Sequence, residues 1–107
     1  MTESEIQRQI LIAANRGNRR LFRNNIAKIK HKGRWISFGI PGPGGSDLIG
    51  WTTKTITPEM VGQKFAIFTS IEVKTPTGKA SEQQKNWLRL VENVGGIAKI
   101  ARSPQDL

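Results

Sequence analysis

The chain has 107 residues, 36% of them hydrophobic, which is enough for one compact domain and too few for two. Seventeen Lys and Arg against eight Asp and Glu give a formal net charge of +9, and this excess favours a polyanionic partner such as nucleic acid. The lack of cysteine excludes disulfides and thiolate metal sites, and no window reaches the roughly 18 apolar residues of a membrane span. The first residues show no signal-peptide pattern, so we expect an intracellular protein with no membrane partner.

The first predicted element is a helix that begins at Thr2 or Ser4 and continues to about Asn15. The apolar positions that recur at helical spacing, and are expected to form its buried stripe, are Ile6, Ile10, Ala13 and Ala14. Glu3 projects along this stripe, whereas Glu5 lies well round the helix from it. The two glutamates are therefore expected to differ in what they face.

Several short strands are predicted to follow. The segments assigned to them are, in order, "RRLFRNN", "GRWISFG" and "SDLIGW". The basic segment "AKIKHKGR" separates the first two, and the turn-forming loop "IPGPGG" precedes the third, which carries Asp47 near its start. Residues 52–63 are predicted to contain a further short strand and a turn.

The longest predicted strand is "KFAIFTSIEVK", residues 64–74. It is apolar on both faces until its end, which is typical of a central strand covered on both sides. Glu72 and Lys74 alternate onto one face at that end, where burying charged groups is costly unless they have a use. The simpler interpretation is that both are solvated residues at a strand end.

The second helix is predicted from the S-x-x-Q capping box of Ser81 and Gln84. Its inward-facing residues are Gln84, Trp87, Leu88, Val91 and Val94. Gly95 and Gly96 end it, and "IAKIARS" is the last strand. The predicted order is α-β-β-β-α-β, with the strand divisions of the first half left open.

Two acidic side chains in this pattern indicate a site for a hard divalent cation, because Asp and Glu oxygens suit Mg²⁺ and Mn²⁺. Asp47 and Glu72 are the candidate carboxylates, and Lys74 beside them can stabilise charge on a phosphate. Each residue also has a purely structural interpretation. Asp47 can cap a turn, Gln84 can serve only its capping box, and Glu3 can simply favour a helix N-terminus.

The combination is more specific than its parts. "GGSD", a strand ending in "IEVK" and a helix opening with "SEQQKNW" follow one another in this order. This layout closely resembles the VRR-NUC family of the PD-(D/E)xK nuclease superfamily, in particular its small stand-alone phage-type members. The resemblance covers nearly the whole chain. One departure is Ser46, which precedes Asp47 where the superfamily commonly has proline.

The resemblance implies an α/β fold of α+β type, a restriction-endonuclease-like core whose central mixed sheet is flanked by helices, over a single domain of residues 1–107. It also implies the site residues. The metal ligands would be Asp47, Glu72, the Val73 carbonyl and Glu3, with Glu5 as the alternative to Glu3. Lys74 would be the catalytic lysine, and Gln84 the helix glutamine.

The implied function is a Mg²⁺- or Mn²⁺-dependent DNA endonuclease. Stand-alone members resemble Holliday-junction resolvases, which implies a homodimer that selects branched DNA, in the cytoplasm of a bacterial host if the gene is phage-encoded. Three alternatives remain open: a nuclease with little structure selectivity, a catalytically silent DNA-binding module of the same fold, and a basic RNA-binding domain.

Basic residues are the candidate DNA contacts. They are Arg19, Arg20, Arg23, Lys28, Lys30, Lys32, Arg34 and Lys79. A solvated basic hairpin is the alternative for most of them. Trp35 and Trp51 could stack on bases, although core packing or a dimer interface is the expectation for each. His31 is the only histidine, so a histidine-based metal site is excluded.

Overall fold

The computed structural model describes residues 2–107, which divide into two compact units, one up to Lys54 and one comprising Thr55–Leu107. Each unit combines one α-helix with β-strands, so the predicted α/β class of α+β type is confirmed. The strands of residues 2–107 form three two-stranded sheets, two antiparallel and one parallel, where one central mixed sheet was expected. No helix within these residues is long and apolar enough to cross a membrane.

The first unit contains one helix and four strands. They are α1 (Glu3–Ala14), β1 (Arg19–Arg23), β2 (Ala27–His31), β3 (Arg34–Phe38) and β4 (Leu48–Thr52). Strand β1 pairs antiparallel with β4, and β2 pairs antiparallel with β3. Helix α1 contacts β1. Strand β4 begins at Leu48, so Asp47, which was predicted near the start of this strand, directly precedes it.

The packed face of α1 differs from the predicted stripe. Ile6 and Ile10 are 42% and 49% exposed, and of the predicted positions only Ala14 is buried. Gln7 and Leu11 are half-buried instead. The predicted stripe was wrong in helical phase, because polar Gln7 was not expected on the packed face. Gln7 lies there because its side-chain oxygen accepts a 2.8 Å hydrogen bond from Arg23 of β1.

The β2–β3 hairpin includes a strand that the sequence reading missed. The segment "AKIKH" was treated as a basic connection, but it pairs over five positions with β3. Its alternation of basic and apolar residues is the period of a strand. Lys32 and Gly33 both have positive φ, 49° and 77°, which is the backbone of a tight hairpin turn whose twist matches the strands.

The second unit has fewer and shorter strands than expected. Its elements are a 3₁₀ helix (Pro58–Met60), β5 (Thr69–Val73), α2 (Glu82–Asn93), β6 (Ile97–Ala101) and a final 3₁₀ helix (Pro104–Asp106). The strand predicted within residues 52–63 is absent from the described chain, and the 3₁₀ helix lies there. The long strand of residues 64–74 is reduced to the five residues of β5.

The parallel β5–β6 pair is covered by α2 on one face only. Directly opposite residues share a face, so Ser70 and Glu72 lie on the same side as the β6 residues that contact α2. Val91 of α2 is fully buried. Gly96 permits this close approach, because a Cβ there would lie 2.7 Å from Val91 Cγ1. The expectation that β5 is covered on both faces is wrong at its end, where Val73 on the other face is 75% exposed, whereas Ile71 on that face is half-buried.

Candidate active site

Glu72 and Lys74 form an ion pair at the carboxyl end of β5. Lys74 Nζ lies 3.5 Å from Glu72 Oε2, and the side chains are 21% and 28% exposed, respectively. Both residues are on the face of the sheet that α2 covers, because Ser70, two residues before Glu72, meets that helix. Their position combines partial burial with access from solvent.

The backbone around this pair is held by β6. The Lys74 amide donates to the Ala101 carbonyl at 3.1 Å, and the Ile97 amide donates to the Phe68 carbonyl at 2.9 Å. In a parallel pair, alternate residues of a strand turn their backbone groups to the same neighbour. Phe68 and Lys74 turn theirs to β6, so Val73 turns its carbonyl away from β6. That oxygen is therefore not used by the β5–β6 ladder.

Helix α2 presents Gln84 on its packed face. Gln84 is half-buried, in agreement with its predicted inward position, whereas its neighbour Gln83 is exposed. The capping box is present: the Ser81 hydroxyl accepts from the Gln84 amide at 3.1 Å, and Gln84 Oε1 accepts from the Ser81 amide at 2.9 Å. These bonds occupy the oxygen of the Gln84 side chain. They leave its amide nitrogen without a hydrogen bond to residues 2–107.

A hydrogen bond joins α2 to β5 at Ser70, two residues before Glu72. Trp87 Nε1 donates to Ser70 Oγ at 2.8 Å, and the Trp87 ring meets Phe68 edge-on with centroids 6.2 Å apart. Buried indole groups need such a partner. Gln84 precedes Trp87 by three residues on the same face, so the helix and strand that carry Gln84 and Glu72 pack against each other.

Asp47 lies in the first unit, where Asn24 positions its backbone. The Asn24 amide donates to the Asp47 carbonyl at 2.8 Å, and Asn24 Nδ2 donates to the carbonyls of Ser46 and Ile40 at 2.9 and 2.8 Å. Gly45 permits this fold of the loop, because a Cβ there would lie 2.2 Å from the Ile40 oxygen. The Asp47 side chain is exposed and its carboxylate has no partner within the described residues.

Glu3 and Glu5 differ in what their carboxylates do. Glu5 Oε2 accepts from the Thr2 amide at 2.8 Å, and the Thr2 hydroxyl accepts from the Glu5 amide at 3.2 Å. Glu5 is thus part of the N-terminal capping box of α1. Glu3 is exposed, lies one turn before the half-buried Gln7, and its carboxylate has no partner within residues 2–107. Glu3 is the one available to a ligand.

The predicted metal ligands lie in both units, Glu3 and Asp47 in the first and Glu72 with Val73 in the second. Within residues 2–107 no three acidic or histidine side chains are grouped closely enough to hold a metal ion. The candidate donors are all oxygen atoms, and two of the three carboxylates have no other partner. Their chemistry fits a hard divalent cation.

The predicted DNA contacts are all exposed, but some of them have structural partners. Arg23 Nη1 donates to Gln7 at 2.8 Å, and Arg20 Nη1 donates to the Gly17 carbonyl at 3.0 Å. The remaining basic positions are free of ion pairs within the described chain. They are Arg19, Lys28, Lys30, Lys32, Arg34 and Lys79. Four of these six belong to the β2–β3 hairpin and its turn.

Two positioning residues were missed by the sequence reading. Asn24 is 8% exposed and holds the loop before Asp47. Arg102 follows β6, and its Nη1 donates to the Thr75 and Gly78 carbonyls at 2.6 and 2.7 Å, which holds the turn between β5 and α2. Asn24 had a weak signal, since asparagine favours strand ends and turns. Arg102 had none, because its partners are 24 and 27 residues away.

Comparison with curated proteins and with solved structures gives no match. The profile of the VRR-NUC domain matches residues 4–105, which is nearly the entire chain and includes both units. This family implies a nuclease-type function and DNA binding. Since the match extends from helix α1 to the final 3₁₀ helix, this chain belongs to the VRR-NUC domain family.

Proposed function

We propose that this protein is a divalent-metal-dependent DNA endonuclease, acting as a homodimer that prefers branched DNA, with residues 1–107 as a single nuclease domain. The observation that carries the proposal is the ion pair between Glu72 and Lys74, 3.5 Å apart and partly buried at the end of β5. At this position the carboxylate can bind a metal cation, and the ammonium beside it can stabilise negative charge on a phosphate. Phosphodiester hydrolysis needs both.

The proposed metal ligands are the three carboxylates of Glu3, Asp47 and Glu72, together with the Val73 carbonyl. The free carboxylates of Glu3 and Asp47 support this choice, as does the Val73 carbonyl that β6 does not use. When bound, Mg²⁺ or Mn²⁺ would supply Lewis acidity towards the scissile phosphate. The carboxylates hold negative charge at the site and give it oxygen donors.

Lys74 is proposed to offset the negative charge that develops on the phosphate during hydrolysis. Its ammonium carries three donors, of which one points towards Glu72 and the others are available to a phosphate oxygen or a water. Because the side chain is only 21% exposed, its charge is screened less than that of a surface lysine. Gln84 is proposed to orient the same groups through its unused amide nitrogen.

DNA binding follows from the family, and the branched substrate and the dimer are the finer proposal. The charge of +9 supports a polyanionic substrate, and the free basic residues of the β2–β3 hairpin supply phosphate contacts. A dimer would present two active sites to two strands, as the resemblance to junction resolvases implies. The setting proposed is intracellular, and it is the cytoplasm of a bacterial host if the gene is phage-encoded.

The test compares cleavage of labelled four-way junction, flap, single-stranded and linear duplex DNA, each with Mg²⁺, Mn²⁺ or chelator. Lys74→Ala is expected to reduce cleavage by about 100- to 1,000-fold, the usual loss when one charge-stabilising donor is removed. Binding in chelator should change little, because only one partly buried charge is lost. Glu72→Gln is expected to abolish cleavage.

Lys85→Ala is the matched control, because Lys85 forms a similar 3.4 Å ion pair with Glu82 on the exposed side of α2. It should cleave as the wild type does. Cleavage that survives chelator, or an equal loss in both lysine variants, would contradict the mechanism. Binding without cleavage under every condition would indicate the silent module. Equal cleavage of all substrates would remove the selectivity, and sedimentation as a monomer would remove the dimer.

A further inference from the structure

One face of the β2–β3 hairpin combines an exposed tryptophan with two lysines. Strand alternation and the pairing Lys30↔Trp35 and Lys28↔Ser37 place these four residues on the same face. The Lys28 and Lys30 ammonium groups lie 5.3 and 5.9 Å from the centre of the Trp35 ring. We use the name Trp35 face for three of these residues, Lys28, Lys30 and Trp35.

Trp35 differs from the other two tryptophans. Trp35 is 62% exposed, whereas Trp51 and Trp87 are half-buried. Trp51 lies against Phe22 with centroids 5.5 Å apart, and Trp87 lies against Phe68 at 6.2 Å. Core packing therefore holds for Trp51 but not for Trp35, which lies close to the two ammonium groups, and a dimer interface at Trp35 stays a prediction.

The geometry of the hairpin keeps this indole outside. Its turn uses two positive φ angles, at Lys32 and Gly33, so the two strands keep the register that sets Trp35 opposite Lys30. At the other end, Asn24 and Ile40 flank the hairpin and are joined by hydrogen bonds of 2.8 and 3.0 Å. Both ends of the hairpin are thus fixed.

An exposed indole with two ammonium groups over its ring matches the chemistry of an unpaired nucleotide. A base offers a π-face for stacking, and the phosphate oxygens of the nucleotide accept hydrogen bonds from ammonium groups. In a continuous duplex the faces of the bases are already stacked on their neighbours, so only a nucleotide out of the stack can use the indole. Lysines close to the ring also keep it positioned, since each ammonium over an aromatic face is attracted to it.

We propose that the Trp35 face binds a nucleotide that lies outside the duplex stack, with Trp35 against the base and Lys28 and Lys30 against its phosphates. The inference rests on the proposed DNA substrate but not on cleavage. It assigns to the hairpin the selection of DNA that contains unpaired positions, separately from the residues proposed to act on the phosphodiester.

The test measures binding in chelator, so that cleavage plays no part, by fluorescence anisotropy of a labelled oligothymidylate and of a duplex of equal length. Trp35→Ala is expected to weaken oligothymidylate binding by about 5- to 150-fold, the factor that stacking on one base supplies. Duplex binding should change less than about twofold. Trp35→Phe should restore most of the affinity.

Phe38→Ala is the matched control, because Phe38 is 47% exposed on the opposite face of the same hairpin. It should leave both affinities unchanged. The salt dependence separates the roles further: Trp35→Ala should keep the slope of log K against log salt, and Lys30→Ala should lower its magnitude by about 0.7. Indole emission should be quenched on binding in the wild type and less so in Trp35→Phe.

Three results would overturn the inference. They are an unchanged oligothymidylate affinity in Trp35→Ala, an equal loss on duplex DNA, and an equal loss in Phe38→Ala. A Trp35→Ala variant that sediments as a smaller species with unchanged affinity per subunit would instead assign the face to a second copy of the chain. Failure of cleavage alone would leave this inference standing, because no measurement here depends on it.

Discussion

Removal of the Asn24 side chain is expected to destabilise the first unit and to release the loop that ends at Asp47. The side chain is 8% exposed and makes three hydrogen bonds of 2.8–3.0 Å, two as donor and one as acceptor from the Ile40 amide. Each such bond contributes about 0.5–1.5 kcal/mol net. Water can reach part of the exposed loop, so we expect Asn24→Ala to lower the free energy of unfolding by about 2–3 kcal/mol.

The assay is urea unfolding of the purified protein, with thermal unfolding as a second measurement. A loss of this size should lower Tm by roughly 10–20 °C in a chain of this length. Asn25→Ala is the matched control, because Asn25 is exposed and its side chain makes no hydrogen bond to the described residues. If Asn24→Ala costs no more than Asn25→Ala, Asn24 does not hold this loop.

A charged variant at position 24 tests the same contact through the pH dependence of the free energy of unfolding. Asn24→Asp keeps an acceptor for the Ile40 amide but sets a carboxylate against the two carbonyls that Asn24 Nδ2 now contacts. Repulsion and burial should raise the pKa of that carboxyl in the folded state. A raised folded pKa means that the variant gains stability relative to the wild type as the pH falls towards the ordinary value of about 3.9. A difference from wild type that is constant with pH would refute this account of the contact.

Two further predictions concern α2. Ser81→Ala removes the hydroxyl that caps the helix at the Gln84 amide, so it should lower the free energy of unfolding by about 1 kcal/mol in urea, whereas Ser81→Asp should preserve it. Trp87→Phe and Ser70→Ala each remove the 2.8 Å bond between helix and strand, and a double-mutant cycle should give a coupling energy of about 0.5–1.5 kcal/mol. A coupling energy of zero would mean that this bond does not stabilise the second unit.

The helices were predictable because their signals are local. Ser81 and Gln84 are three residues apart, and the bonds that define their capping box join only those two residues. The same holds for Thr2 and Glu5 at the start of α1. Such patterns need no knowledge of the rest of the chain. The position of β4 was predictable to within two residues, because a glycine-rich turn precedes an apolar run.

The strands were harder to predict because pairing is not local. Residues 64–67 carry the same alternation as β5, but the paired ladder with β6 covers only Thr69–Val73, with one further hydrogen bond on each side, at Phe68 and Lys74. Conversely, the charged segment "AKIKH" was interpreted as a connection, and only its pairing with β3 identifies it as a strand. Apolar alternation indicates which residues can share a face of a strand. The length of the hydrogen-bonded strand depends on the neighbouring strand.

The candidate site shows the same division. The positions of Glu72, Lys74 and Gln84 follow from strand alternation and helix phase, and the sequence alone placed them at one strand end and one helix start. Which groups surround them depends on residues far along the chain.

The amino-acid sequence by itself determined the α+β class, both helices, the cap of the second helix, the family, and the positively charged character that suits DNA. Tertiary structure alone decided that Asn24 and Arg102 hold the loops, that Gln7 faces β1, and that Trp35 is exposed with two lysine ammonium groups over its ring. The physical reason is that capping, turns and alternation act over a few residues. Hydrogen bonds across 20 residues or more, and the exposure of one aromatic ring among three, depend on which segments meet.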